Sequence, residues 1–316
     1  MKKTAIIVGS AGQDGRIACE YLTERGYKVI GIDRRSHSPG ASGKYKKLSV
    51  NIENSKEVIK LIKSVHPDEI YYFAAFHHSS QDKLINNIEL LDRSYRVNVL
   101  SLLNFLEGIR QCSPQSRLFY AASSLIFGDT PSKIQSETTE FSPDSMYGIT
   151  KMDGLYLCRL YRKQYNVFAS VGILYNHESS YRENQFLSKK VITAAIDIKN
   201  KKKKLLTLGD IEARVDWGYA PDYVDAMHRI LQLKNSDDFI VATGETHSVR
   251  ECADEAFKAV GLDWKKYTEV DDRLIRPKDL LYLRGNYSKA KKILGWEPKV
   301  KFKELIKKMV DADLTR

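Results

Sequence analysis

The most restrictive stretch of this chain is its beginning. Residues 4–8, TAIIV, are an apolar run of strand length. GSAGQDG follows at residues 9–15, and then an amphipathic run places Ile17, Ala18, Tyr21 and Leu22 on one helical face. A buried strand, a turn with glycine at every third position and a helix admit few folds. Gly9 allows the tight turn, Gly12 lets backbone approach a ligand closely, and Gly15 lets helix and strand pack. Helix amides left open at such a turn suit a pyrophosphate. Gly26 sits where this helix should stop.

The same beat continues downstream. KVIGI is the next strand and runs into Asp33. Ser55 is placed to cap a helix carrying Val58, Ile59 and Ile62. EIYYF makes a third strand after the His66–Pro67 break. A long helix around Leu91 to Ile109 precedes the strand RLFYA, which leads to Ser123. Another long helix holds Tyr147 and Lys151, and VFASVGI is again a strand. This alternation predicts an α/β Rossmann fold, a doubly wound parallel sheet. After about Tyr175 the rhythm loosens, with helices expected from Asp222 to Leu233 and near Val249–Val260, Ser288–Leu294 and Phe302–Val310. We therefore expect a dinucleotide-binding domain over residues 1–175. A smaller, mainly substrate-binding α/β part should cover 176–316, with a segment near 212–245 returning to the first domain.

Composition narrows the class. The 316 residues, 42% apolar and 29% charged, suit one large domain or two tightly joined ones. The opening MKKTAIIV imitates a secretory leader, but its apolar run is broken at Gly9, and no apolar stretch is long enough to span a bilayer. A cytoplasmic protein without a membrane partner is expected. Cys19, Cys112, Cys158 and Cys252 lack metal-ligand spacing, so neither a metal nor a disulfide framework is expected. The net charge of +11 gathers in Lys199–Lys204, Lys265–Lys266 and Lys299–Lys308. No stacking aromatics interleave the longest run, so these read as solvated faces rather than a nucleic-acid surface. A basic field also suits a diphosphate-bearing substrate.

Asp33 lies eighteen residues beyond Gly15, where an acid meets the adenosine ribose. Its carboxylate would accept from a 2′-hydroxyl and repel a 2′-phosphate, whereas Arg34 and Arg35 would welcome that phosphate. NAD is the expected cofactor, with NADP open. Gln13, Asp14, Asn51, Ile52, Ala74 and Ala75 complete the expected cofactor contacts, Asn51 as an amide at the adenine edge.

Tyr147 and Lys151 form a YxxxK pair on one helix face. A phenol is a poor base at neutral pH, and a nearby ammonium favours its phenolate. Ser123, at a strand's carboxyl end, can hydrogen-bond an alcohol while the tyrosine takes its proton and hydride leaves for a nicotinamide. YxxxK alone is common. Its position one strand-to-helix step after Ser123, in a chain that carries the glycine turn, gives it meaning.

With GSAGQDG, GYKVIGIDRRS, HPDEIYYFAA, SMYGITK, GILYNHES, RVDWGYAPDYVDAM, ATGETHSVRE and LGWEPKVKFKELIKKMV, the chain resembles the GDP-mannose 4,6-dehydratase-like branch of the nucleotide-sugar-modifying extended short-chain dehydrogenases nearly end to end. The resemblance implies a GDP-sugar substrate and a homodimer or homotetramer. It implies that Ser123 stands for the family's threonine and that Tyr147 and Lys151 are its tyrosine and lysine. Asn176 and the Arg182–Lys190 loop, with Arg182 and Lys189, match substrate-nucleotide contacts. Arg276 and Asp279 in RPKD resemble the family's diphosphate and ribose grip. Val215 occupies an arginine position, with Arg214 beside it. His77 and His78 fall in a loop that touches sugar or pyrophosphate in relatives.

One departure alters the expected chemistry. The family's active-site triplet ends in glutamate, the acid/base that removes the carbon-5 proton and helps expel water from carbon 6. Here the triplet is Ser123–Ser124–Leu125. Leucine moves no proton, so the expectation is a 4-dehydrogenase acting on GDP-mannose or a GDP-manno-heptose and stopping at the 4-keto sugar. The alternative is a 4,6-dehydratase with another acid/base, for which Glu178 is the candidate.

Overall fold

The structure, a computed structural model, describes residues 2–34, 45–77, 85–128, 130–271, 273 and 283–315. Its first half is built from β1 (Thr4–Val8), α1 (Gln13–Glu24), β2 (Lys28–Ile32), β3 (Lys46–Leu48), α2 (Ser55–Val65) and β4 (Glu69–Tyr72). After these come α3 (Asn87–Tyr95), α4 (Ser101–Cys112), β5 (Arg117–Ser123), α5 (Met146–Tyr165) and β6 (Phe168–Leu174). The remainder carries β7 (Asn176–Glu178), α6 (Leu187–Lys199), β8 (Leu206–Leu208), β9 (Arg214–Val215), β10 (Trp217–Tyr219), α7 (Ala220–Leu231) and β11 (Asp238–Val241). The last elements are β12 (His247–Ser248), α8 (Val249–Ala259), β13 (Thr268–Val270), α9 (Ser288–Leu294) and α10 (Phe302–Leu314).

Seven strands form one parallel sheet in the order β11-β6-β5-β4-β1-β2-β3. Strands covered on both sides read as continuous apolar runs, which is why TAIIV and RLFYA carry no polar alternation. Within β1, alternate side chains go to opposite faces. Ile6 and Val8 join Val58 and Ile62 of α2, Phe105 of α4 and Leu155 of α5. Ala5 and Ile7 join Ala18 and Leu22 of α1, Val224 and Met227 of α7 and Trp296. A third core lies between α6, α8 and α10, around Ile192, Phe257 and Leu305. The fold is thus a doubly wound α/β sheet.

Several elements differ from the sequence reading. The third strand in chain order is β3, a three-residue edge strand. α2 is capped by Asn54, whose side chain accepts from the Lys56 amide, so Ser55 is already helical. The expected single helix from Leu91 to Ile109 is α3 and α4 joined through one π turn, Arg96–Leu100. α7 starts at Ala220, two residues early, with Pro221 in its first turn, where a missing amide proton costs nothing.

β11 is the strand that matters most for organisation, since it pairs with β6 from far along the chain, Asp238 opposite Val171. Arg159 and Arg162 of α5 each reach Asp238 at 2.6 Å. A second tie is Asp216, between β9 and β10. Its buried carboxylate accepts from the Thr243 amide (2.9 Å), the Thr243 hydroxyl (2.6 Å), the Gly244 amide (3.0 Å) and the Gly285 amide (3.3 Å). Among the described residues no helix is long and apolar enough to cross a membrane, and no group of three metal-ligating side chains occurs. All four cysteines are free thiols.

Candidate active site

β5 ends on Ser123, whose hydroxyl accepts from the Leu125 amide at 3.2 Å and caps a single 3₁₀ turn, Ser124–Ile126. Across from it, Ser145 caps α5 by accepting from the Gly148 amide at 3.1 Å. A Cβ on Gly148 would lie 2.6 Å from the Leu125 carbonyl oxygen. Glycine there lets α5 sit directly on the turn holding Ser123 and Leu125, and brings Tyr147 to the end of β5.

Lys151 is one helical turn beyond Tyr147 and is almost wholly enclosed. Its Nζ donates to the Ala121 carbonyl at 2.7 Å and lies 5.6 Å from the centre of the Tyr147 ring. Burial pushes the lysine down to about 7, against the opposing pull of Asp14. Burial also raises the Tyr147 phenol, and the Arg182 guanidinium works in the other direction. With Nζ turned to a carbonyl, desolvation dominates both groups and favours their neutral forms. His77 meets the Tyr147 ring edge-on, 5.0 Å between centroids, and lies 5.6 Å from Phe186. Buried Asn98, within the π turn, accepts from the Phe76 amide at 2.8 Å and donates to the Thr150 hydroxyl at 2.9 Å. It fixes the loop bearing His77 against α5. His78 lies outside the described residues.

The glycine turn has the construction its spacing implies. Gly9 has φ +88°, and a Cβ there would lie 2.8 Å from the Ala74 amide nitrogen; one on Gly15 would lie 2.2 Å from the Gly9 carbonyl oxygen. Gly12 is the N-cap of α1 and offers no side-chain cap to the helix amides. Asp33 folds onto the turn and accepts from the Ala11 amide at 3.1 Å. Arg34 is exposed and Arg35 lies outside the described residues. Asn51 uses its side-chain oxygen on the Glu53 amide (3.1 Å). Buried Ile52 gives its carbonyl to Asn104, Ala74 packs on Gly9, and Ala75 is exposed. Gln13 and Asp14 turn away from the glycine turn toward residues 177–179.

On the other side of the cleft, Asn176 is exposed at the start of β7. Arg182 lies with Nε 2.9 Å from Glu178 and its guanidinium 3.5 Å over the Phe186 ring. The two charged atoms are close but misaligned, and neither makes a directed hydrogen bond. Arg214 donates to the Thr246 carbonyl at 2.6 Å, at the head of α8. Lys189 requires correction. α6 begins at Leu187, which turns Lys189 inward to pair with Asp313 of α10, with 5% of its side chain exposed. Glu178, the candidate substitute acid, is 2% exposed and held against Arg182. Arg276 and Asp279 lie outside the described residues. His177, which no sequence pattern singles out, lies with Nε2 3.0 Å from Asp14, and the spacing of NHES from GSAGQDG gives no hint that they touch.

A parallel doubly wound sheet, an uncapped glycine turn at its first helix and serine, tyrosine and lysine gathered at the end of β5 define the extended short-chain dehydrogenase class. Residues 6–309 match the GDP-mannose 4,6 dehydratase family, and the chain belongs to it. GDP-mannose 4,6 dehydratase 1 of Arabidopsis thaliana is 38% identical, covering 99% of this chain and 90% of its own length. GDP-mannose 4,6-dehydratase of Vibrio cholerae is 31% identical over 99% of this chain and 94% of its own. In fold, the chain is similar to dTDP-glucose 4,6-dehydratase from Bacillus anthracis in complex with NAD, with a TM-score of 0.83 at 20% identity, covering 99% of this chain and 97% of that one. The chain is a nucleotide-sugar-modifying enzyme by family.

Proposed function

We propose that this enzyme oxidises the carbon-4 hydroxyl of a GDP-sugar, GDP-mannose or a GDP-manno-heptose, and releases the 4-keto sugar. The observation that carries this reading is Leu125, which follows Ser123 and Ser124 on the turn against α5. Elimination of water needs a group that takes a proton from carbon 5 and returns one to the leaving hydroxyl. An aliphatic side chain does neither.

Ser123 holds the hydroxyl, Tyr147 takes its proton as the phenolate, having first given up its own, and Lys151 secures the ribose beside it. The uncapped amides of α1 and the acid Asp33 fit a dinucleotide with a free ribose 2′-hydroxyl. NAD, when bound, supplies the hydride acceptor; Arg34 keeps NADP as the alternative. Asn176, Arg182 and Arg214 are the described residues offered to the GDP moiety, with Arg276 and Asp279 beyond them. Exposed Ile88, Leu100, Tyr156 and Leu160 on the α3–α5 face support a homo-oligomer.

A second reading, full 4,6-dehydration, is favoured by the relatives, whose names carry that activity at 38% and 31% identity. It needs a proton carrier other than Leu125, and Glu178 is enclosed beside Arg182. Mass spectrometry after incubation with NAD, an oxidant for its reduced form and GDP-mannose or GDP-manno-heptose separates the two. Loss of two hydrogens supports the dehydrogenase. Loss of water overturns it in favour of the dehydratase.

A further inference from the structure

The glycine turn and the segment after β6 are joined by a set of side-chain contacts from Gln13 and Asp14 to residues 177–179. Gln13 donates to the His177 carbonyl at 2.9 Å and accepts from the Ser179 hydroxyl at 2.9 Å. His177 Nε2 lies 3.0 Å from both Asp14 carboxylate oxygens, and its Nδ1 lies 2.7 Å from the Tyr175 carbonyl oxygen. Both ring nitrogens face acceptors only, so both donate and the ring is a cation. Its face stacks on buried Tyr223 at 4.7 Å, and its backbone runs parallel to Gly218 of β10. The imidazole is therefore a rigid bar, fixed by Tyr223 and Tyr175 and pointed at Asp14.

Residue direction alternates through this segment. His177 and Ser179 face the glycine turn. Asn176 before them is exposed, and Arg182 after them holds a buried Nε without a directed partner. Asp14 sits in the first turn of α1, where a dinucleotide phosphate would lie. A lone carboxylate there would repel that phosphate, and the His177 cation neutralises it.

Resting on the reading of a GDP-sugar and a dinucleotide in adjoining sites, we propose that Gln13 and Asp14 clasp His177 and Ser179 so as to couple the two binding events. His177 is the positioning residue. A cofactor that orders the glycine turn orders, through the clasp, the segment presenting Asn176 and Arg182 to the GDP moiety. By linkage the effect is reciprocal.

The test is calorimetric titration of the full chain with GDP, with and without saturating NAD, and with NAD in the presence and absence of GDP. We expect each ligand to tighten the other by the same factor, roughly five-fold or more. In the double variant Gln13→Ala/Ser179→Ala, the factor should fall close to unity. His177→Asn alone should also weaken NAD, because it strands Asp14 beside the phosphates. Adding Asp14→Asn should restore NAD affinity but not the coupling, a pattern that loss of general stability does not produce. Should the double variants fail to fold, Ser179→Ala, the loss of one hydroxyl, decides by lowering the factor or leaving it unchanged. Coupling that persists undiminished in the folded variants, or is absent from the wild type, overturns the clasp. A wild type that binds NAD but not GDP overturns the GDP-sugar reading as well.

Discussion

Lys151 donates to the carbonyl oxygen of Ala121 across 2.7 Å, tying the second turn of α5 to β5 two residues before the strand ends at Ser123. The bond holds the ammonium beneath the cleft, while burial makes its proton easy to lose. In the unliganded chain the group leaves the charged state near neutrality.

This has a consequence for stability. The folded lysine titrates at about 7 and the unfolded one at 10.5, so the unfolded chain binds more protons between these values. Stability contributed by this site therefore rises with pH across that window, by up to about 1.4 kcal/mol per pH unit. Urea midpoints at pH 7 and pH 9, compared between wild type and Lys151→Met, should show the wild type gaining more on going to pH 9. Parallel behaviour of the two proteins would place the lysine's titration elsewhere.

Tyr147→Phe deletes the one oxygen assigned to proton transfer and leaves the ring against His77. Formation of reduced nicotinamide on adding GDP-mannose or GDP-manno-heptose should slow roughly 100- to 10,000-fold. NAD affinity should change little. A slowing under ten-fold would move the base to another residue.

Leu125→Glu restores a proton carrier on the turn that Ser123 caps. Mass spectrometry of the product should change from loss of two hydrogens to loss of water. Leu125→Ala, which restores no proton carrier, should leave the product mass as in the wild type.

Asp216→Ala removes an acceptor from four donors on residues 243, 244 and 285. Burial raises this carboxyl to about 6 in spite of them, so the site is dry enough for orphaned donors to be costly. The expected loss is roughly 2–4 kcal/mol in urea unfolding. A loss below about 1 kcal/mol would show that water replaces the carboxylate freely.

What was legible in the sequence follows its physics. β1, β2, β5 and β6 are buried on both faces and announce themselves as continuous apolar runs, and the glycine turn is legible because backbone sterics dictate it. β3 and the two- and three-residue strands are too short for any period to show. Their pairing is imposed by tertiary packing, as at Asp216. Lys189 was misplaced because its neighbourhood read as loop, whereas the start of α6 at Leu187 rotates it toward Asp313. Ser123, Tyr147 and Lys151 could be named from type and spacing. The protonation of the latter two could not, because it depends on burial and on where Nζ points. The Asp14–His177 contact joins residues 163 positions apart and leaves no local trace.

β11 gives the chain a constraint on how its specificity can be re-engineered. The sheet that supports the glycine turn is completed only when residues 238–241 return to lie beside β6. A graft intended to exchange the sugar-recognising portion cannot be a single cut after β6. It must be two cassettes, one on each side of residues 220–241, with Asp238 retained so that Arg159 and Arg162 keep their anchor.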